Sequence, residues 1–219
     1  STRAQVSARG ARLPVGRIIT TGELVAILGA CTGDASPAGA RDAAIIALAT
    51  TTGMRRGEIT RLTMADFHDN EGSGEFVVRK AKGNKERKAF VRNGAYAALS
   101  DWLHVRGSQP GPLFLAIHKG GEVQPHGITT QALGDMLAKR CMEAGISAST
   151  TWHDFRRTFA STLLDSGTDL VTVSKLMGHE QTTTTARYDR RDESVQRKAV
   201  DTIHVPYMGR HAQKRFSGM

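Results

Sequence analysis

With 219 residues the chain can bury a self-sufficient core as one large domain or two small ones. Its 30 Lys and Arg against 21 Asp and Glu, a formal net charge of +9, point to a polyanionic partner, with nucleic acid ahead of an anionic membrane surface. No run approaches the roughly 20 apolar residues that span a bilayer, the N-terminal residues lack the apolar core of a signal peptide, and Cys31 and Cys141 form no CxxC pair. Neither a disulfide framework nor a zinc knuckle is indicated, buried free thiols are the better reading, and the expectation is a soluble, cytoplasmic protein without a metal or cofactor.

Residues 1–22 contain Arg3, Arg9, Arg12 and Arg17 and no acid, with Gly10 and Pro14 interrupting any helical pattern. This reads as a basic arm or linker over 1–19, a segment that can also track phosphates. A main domain over 20–190 and a tail over 191–219 follow. Thr20 or Thr21 with Glu23 marks a helix start for GELVAILGAC, and Arg41 to Thr51 has the apolar density of a buried helix. After Gly53 a helical pattern resumes from Arg55 to Met64, ending at Asp69, Asn70, Gly72 and Gly74. Glu75 to Lys80 and Lys88 to Arg92 are β-prone runs joined by AKGNKER, whose Gly83-Asn84 supplies turn chemistry for a hairpin. From Asn93 onward the pattern is helical again, with Gly107, Gly145, Gly167 and Gly178 where C-terminal caps belong. The predicted fold is mainly α with one small antiparallel β-sheet, an α+β arrangement.

Five residues have the chemistry of phosphodiester cleavage: Arg55 in TTGMRRGEI, His153 and Arg156 in HDFRRTF, and His179 and Tyr188 in GHEQTTTTARYDRR. Arginine forks grip non-bridging phosphate oxygens, histidines move protons or donate hydrogen bonds, and a tyrosine hydroxyl can attack phosphorus. Arg55 at a helix start adds backbone amides and the positive end of the dipole. Spacing by three puts His153 and Arg156 on one helix face, whereas Arg56 and Arg157, about 100° away from their neighbours, read as surface charges. Of the tyrosines at 96, 188 and 207, only Tyr188 lies among basic residues downstream of a Gly-His pair. A phenol of pKa about 10 needs a base or a dense positive field to attack, and His179 can hydrogen-bond the phosphate or the phenol. The leaving alkoxide needs an acid, for which Lys82 and Lys85 of the hairpin turn are the candidates.

Taken in order, these boxes resemble the catalytic domain of the tyrosine recombinases, the family of phage and transposon integrases and chromosome-dimer resolvases, over Thr20 to Tyr188. The resemblance implies Arg55 as first catalytic arginine with Glu58 as its supporting acid. AKGNKER is similar to the hairpin lysine motif and implies Lys82 as general acid, although Ala81 departs from the usual Gly-Lys-Gly opening. HDFRRTFAS assigns His153 and Arg156, and LMGHEQTTTTARYDRR assigns His179 and, nine residues later, the nucleophile Tyr188. It further implies a tyrosine recombinase catalytic domain fold and a 3′-phosphotyrosine intermediate formed without metal or ATP. The substrate is double-stranded DNA, gripped as a tetramer by the full-length protein, whose N-terminal core-binding domain precedes a segment such as this. Encoding by a bacterium, phage or mobile element follows, as does docking of residues 191–219 on a neighbouring protomer. Two alternatives share these residues: a topoisomerase-like or telomere-resolving strand transferase, and a DNA-binding fragment inactive without its N-terminal domain.

Overall fold

The computed structural model describes residues 17–79, 86–146, 150–179, 182–186, 189 and 200. The chain divides into two units, Ser1–Tyr188 and Asp189–Met219, and every element named here lies in the first.

Helix α1 (Thr21–Thr32) begins where the sequence predicts, because Thr20 and Glu23 form a reciprocal capping box: Glu23 N donates to Thr20 Oγ1 at 3.2 Å and Thr20 N to Glu23 Oε2 at 2.9 Å. Helix α2 (Pro37–Thr52) starts four residues ahead of the predicted apolar run, with proline in its first turn, where a missing N–H costs nothing. It is buried nearly throughout, wrapped by α1, by α4 (Asn93–Arg106) and by α6 (Trp152–Asp165). Ile45, Ile46 and Leu48 of α2 join Trp102, Phe114 and Phe155 in the main core. A smaller apolar cluster, Ala160, Leu164, Val173 and Met177, joins the far half of α6 to α7 (Leu170–Met177). Helix α5 (Thr130–Glu143) closes the side near α1 and buries Arg140, whose guanidinium is held by Asp34, Asp42 and Glu143 at 2.6 to 2.9 Å.

Four departures from the sequence reading have physical causes. The pattern from Arg55 to Met64 forms only one helical turn, α3 (Arg56–Ile59), followed by a 3-10 turn at Met64–Asp66 that Thr63 and Asp66 cap. The predicted hairpin is present as β2 (Ser73–Arg79) and β3 (Glu86–Arg92), but a third strand, β1 (Phe67–Asp69), pairs antiparallel with β2. A second sheet, β4 (Leu115–Ile117) with β5 (Val123–Gly127), was not foreseen: three residues are too few for an alternation, and Pro125 argues against a strand. Finally, the last residues of the basic arm are stitched to α6. Arg17 N donates to Asp154 Oδ1 at 3.0 Å, Ile19 N donates to Thr158 Oγ1 at 2.9 Å, and Ile19 is buried. The hairpin turn, residues 80–85, and residues 1–16 lie outside the described residues.

Glycine conformation matters most at two helix ends. Gly53, which ends α2, and Gly178, which ends α7, both adopt the left-handed conformation (φ 57° and 64°), one residue or two before site residues.

Candidate active site

Four chain segments converge, carrying Arg55 with Glu58, Arg87, Arg156 and His179. Arg55 is the N-cap of α3, and Glu58, three residues on, reaches back to accept the Arg55 N–H at 2.8 Å, half of a capping box. The same carboxylate pairs with Arg55 Nη1 at 3.0 Å, and the Arg55 side chain remains about half exposed at 48%. A carboxylate buried to 6% exposure would be costly unpaired, and its second partner is Arg87, whose Nη2 donates to Glu58 Oε2 at 2.7 Å. Burial alone would raise the Glu58 pKa. The Arg87 charge, the Arg55 N–H and the charges of Arg55 and Arg156 together outweigh burial and hold it below the ordinary carboxylate value, so Glu58 stays ionised.

Arg156 comes from the first half of α6, whose start is fixed by Asp154 accepting from Thr151 N and Oγ1 at 2.8 Å each. The guanidinium is buried and donates to Gly53 O, to Met177 O at 2.8 Å and to His179 Nε2 at 2.6 Å. Since a guanidinium cannot accept, Nε2 of His179 is the acceptor in that contact. The ring proton then sits on Nδ1 and is donated to Thr185 Oγ1 at 2.7 Å. For His179 to donate from Nε2 to a phosphate, Nε2 must take up a proton and Arg156 must turn away from it. Thr185 lies on α8 (Thr182–Ala186), within the threonine run that precedes Tyr188.

His153 is exposed in the first turn of α6. Partial desolvation by the surrounding protein, then the positive charges of Arg157 and Arg156, hold its pKa below the ordinary histidine value, with Asp154 opposing. The spacing argument therefore places His153 and Arg156 within electrostatic reach, as expected. It fails for Arg157, which is buried at 7% exposure and is not a surface charge; Arg56 is exposed. Neutralising Arg157 (Arg157→Met) is expected to raise the His153 titration midpoint toward about 6.5, read from its ring resonances by NMR. An unchanged midpoint would exclude the arginine as a cause. Because a depressed histidine pKa means that the folded state binds the proton less readily than the unfolded chain, its contribution destabilises the fold as pH falls through the unfolded value.

Among the predicted site residues, Arg55, Glu58, Arg156 and His179 are brought together, and His153 is beside them. Lys82, Lys85 and Tyr188 lie outside the described residues. Two partners were missed. Arg87 faces inward because strand alternation sets Arg87, Ala89 and Val91 on one face of β3, opposite Val78 and Phe76 of β2. An arginine in phase with two buried apolar residues was the available signal. Thr185 has only its place in the threonine run. Among the described residues no group of three or more His, Cys, Asp and Glu side chains is arranged to hold a metal ion, and no helix is long and apolar enough to cross a membrane.

Residues 17–194 match the profile of the Phage integrase family, and the chain belongs to that family. It is 33% identical over 174 residues to the tyrosine recombinase XerC of Chromohalobacter salexigens, a match covering 78% of this chain and 55% of that protein. It spans about half the length of the curated relatives it matches. The fold is similar to that of XerH site-specific recombinase bound to its difH substrate (TM-score 0.68, 23% identity, 84% of this chain and 53% of that one). It is also similar to the catalytic domain of bacteriophage HP1 integrase (TM-score 0.59, 19% identity, 84% of this chain and 93% of that one). The mainly helical architecture with small antiparallel sheets is thus that of tyrosine recombinase catalytic domains.

Proposed function

We propose that this chain is the catalytic part of a site-specific DNA recombinase or integrase that cleaves and rejoins duplex DNA through a 3′-phosphotyrosine at Tyr188. The observation that supports this reading is the convergence of Arg55, Arg156 and His179 around a buried, ionised Glu58, in the family's order along the chain. Three guanidiniums, counting Arg87, against one carboxylate leave a net positive pocket suited to a single phosphodiester. Arg55 and Arg156 bind the two non-bridging oxygens and stabilise the charge that develops in the five-coordinate transition state. The Tyr188 oxygen forms its bond to phosphorus as the bond to the 5′-oxygen breaks; neutral His153 accepts the phenol proton, and Lys82 supplies the proton that makes the departing 5′-hydroxyl neutral. His179 hydrogen-bonds the phosphate, and a partner strand's 5′-hydroxyl reverses the reaction, with both proton transfers run backward. The phosphodiester energy is kept in the protein link, so neither ATP nor metal is consumed. Residues 20–190 form the catalytic domain. The arm over 1–19 tracks phosphates, the tail over 191–219 docks on a neighbour, and four copies act together on DNA in the cytoplasm.

The test is covalent capture. The chain is offered a randomised pool of nicked duplexes, the retained DNA is sequenced to define the site, and the adduct is digested to map the linkage. The expected result is a phosphotyrosine at Tyr188, with Tyr188→Phe abolishing the adduct while DNA affinity stays within about twofold, because affinity is summed over many phosphate contacts. No adduct, or an adduct that survives Tyr188→Phe, overturns the assignment.

A further inference from the structure

We propose that Arg87 is a positioning residue for strand cleavage: it fixes Glu58 so that the Arg55 guanidinium faces the scissile phosphate, and it offsets the Glu58 charge so that Arg55 still acts there as a cation. The inference rests on the proposed function and deepens it at the same site.

Glu58 has two guanidinium partners of opposite character. Arg55 is half exposed, where a ligand can reach it, while the Arg87 side chain is only 9% exposed, where a phosphate on the surface cannot. A carboxylate shared with Arg55 alone would cancel its charge at the distance where charge matters most. With Arg87 behind it, the trio carries a net +1, and the ligand meets that charge through Arg55. Among the described residues the buried Nη1 of Arg87 has no hydrogen-bond partner, and the ion-pair partner of Arg87 is Glu58.

The stem of Arg87 touches the other half of the site. A Cβ on Gly178 would lie 2.6 Å from Arg87 Nε and 2.8 Å from Cδ, so the left-handed cap of α7 is packed directly on this side chain. His179 is the next residue. Arg87 therefore sits between the segment that presents Arg55 and the segment that presents His179, and β3 holds it there through ladder pairing with β2. Its burial lowers the guanidinium pKa, Glu58 opposes this and the Arg55 charge adds to it, the pattern of a cation held in place by its carboxylate partner.

The experiment measures the rate of adduct formation on the captured site, together with DNA affinity and thermal unfolding, for the parent, Arg87→Gln, Arg87→Lys, Glu58→Gln and the double variant Arg87→Gln/Glu58→Gln. Arg87→Gln keeps a hydrogen-bond donor and loses the charge. It is expected to slow adduct formation by about tenfold to hundredfold, the scale of a misplaced catalytic group, with affinity changed less than about threefold because many phosphate contacts contribute. Arg87→Lys keeps the charge and recovers most of the rate. In the Glu58→Gln background there is no carboxylate to offset, and adding Arg87→Gln has little further effect on rate, the signature of residues acting as one unit. Parent-like rates in Arg87→Gln overturn the proposal, as does an equal slowing with and without Glu58, or a lysine no better than glutamine. If Arg87→Gln unfolds, Arg87→Met takes its place: it keeps an apolar stem against Gly178 and removes the charge, and the same slowing and the same dependence on Glu58 are expected. A parent that forms no adduct refutes the proposed function itself, whereas a parent that forms one alongside an indifferent Arg87 refutes only this inference.

Discussion

Replacing Arg156 with alanine is expected to slow covalent capture of DNA by about 10²- to 10³-fold, the cost of one donor aimed at transition-state charge, and to destabilise the fold at the same time. The two losses have one origin. The buried guanidinium donates to Gly53 O, Met177 O and His179 Nε2, so it ties the end of α2, the end of α7 and the site histidine together. Truncation takes that donor from two carbonyls, at about 1–3 kcal/mol for each one left unsatisfied in a buried setting. It also frees the His179 ring from the contact that sets its tautomer. Arg156→Lys separates the effects: an ammonium retains the charge but cannot span three acceptors in a plane. It should recover part of the stability, measured by urea denaturation, and leave the rate at least about tenfold below the parent because the fork geometry is lost. Parent-like capture by Arg156→Ala would remove this residue from the chemistry.

Gly53→Ala is the second large effect, and here stability leads. Gly53 has φ 57°, where a side chain costs about 1–2 kcal/mol. A Cβ there would lie 2.5 Å from Cδ1 of the partly buried Phe159, and overpacking against that ring adds about 1–3 kcal/mol. A total loss of about 2–5 kcal/mol is expected in denaturant unfolding. Activity should fall as well, because the Gly53 carbonyl is an acceptor for Arg156 and Arg55 follows two residues later. In a Phe159→Ala background, where the colliding ring atoms are gone, Gly53→Ala is expected to keep only the backbone part of its cost. No loss in that background would show that the backbone conformation carries no cost, and no loss in Gly53→Ala alone would disprove the crowding.

The grouping of Arg55, Glu58, Arg156 and His179 was more legible along the chain than the short elements around it. Arg55, Glu58, Arg156 and His179 meet where their spacing and the family boxes put them, and the α1 start and the glycine ends of α4 and α7 fall where predicted. The errors were in short elements. A single turn at Arg56–Ile59 resembles the start of a longer helix, and strands of three to five residues offer too few positions for a period of two to appear. Arg157 was misjudged because a helix angle says which way a residue points from its neighbour, not what packs over it.

What the sequence determined by itself was local or chemical: residue types able to hold and attack a phosphate, and caps such as Thr20 with Glu23, whose partners lie three residues apart. Only the tertiary structure decided which of those residues share one charge balance. Arg87 reaches Glu58 across 29 residues, Arg156 reaches His179 across 23 and Gly53 across 103, and Glu58 is held ionised by guanidiniums from three segments. Such contacts leave no periodicity along the chain, because they are created when strand alternation and helix packing turn distant side chains toward one buried carboxylate.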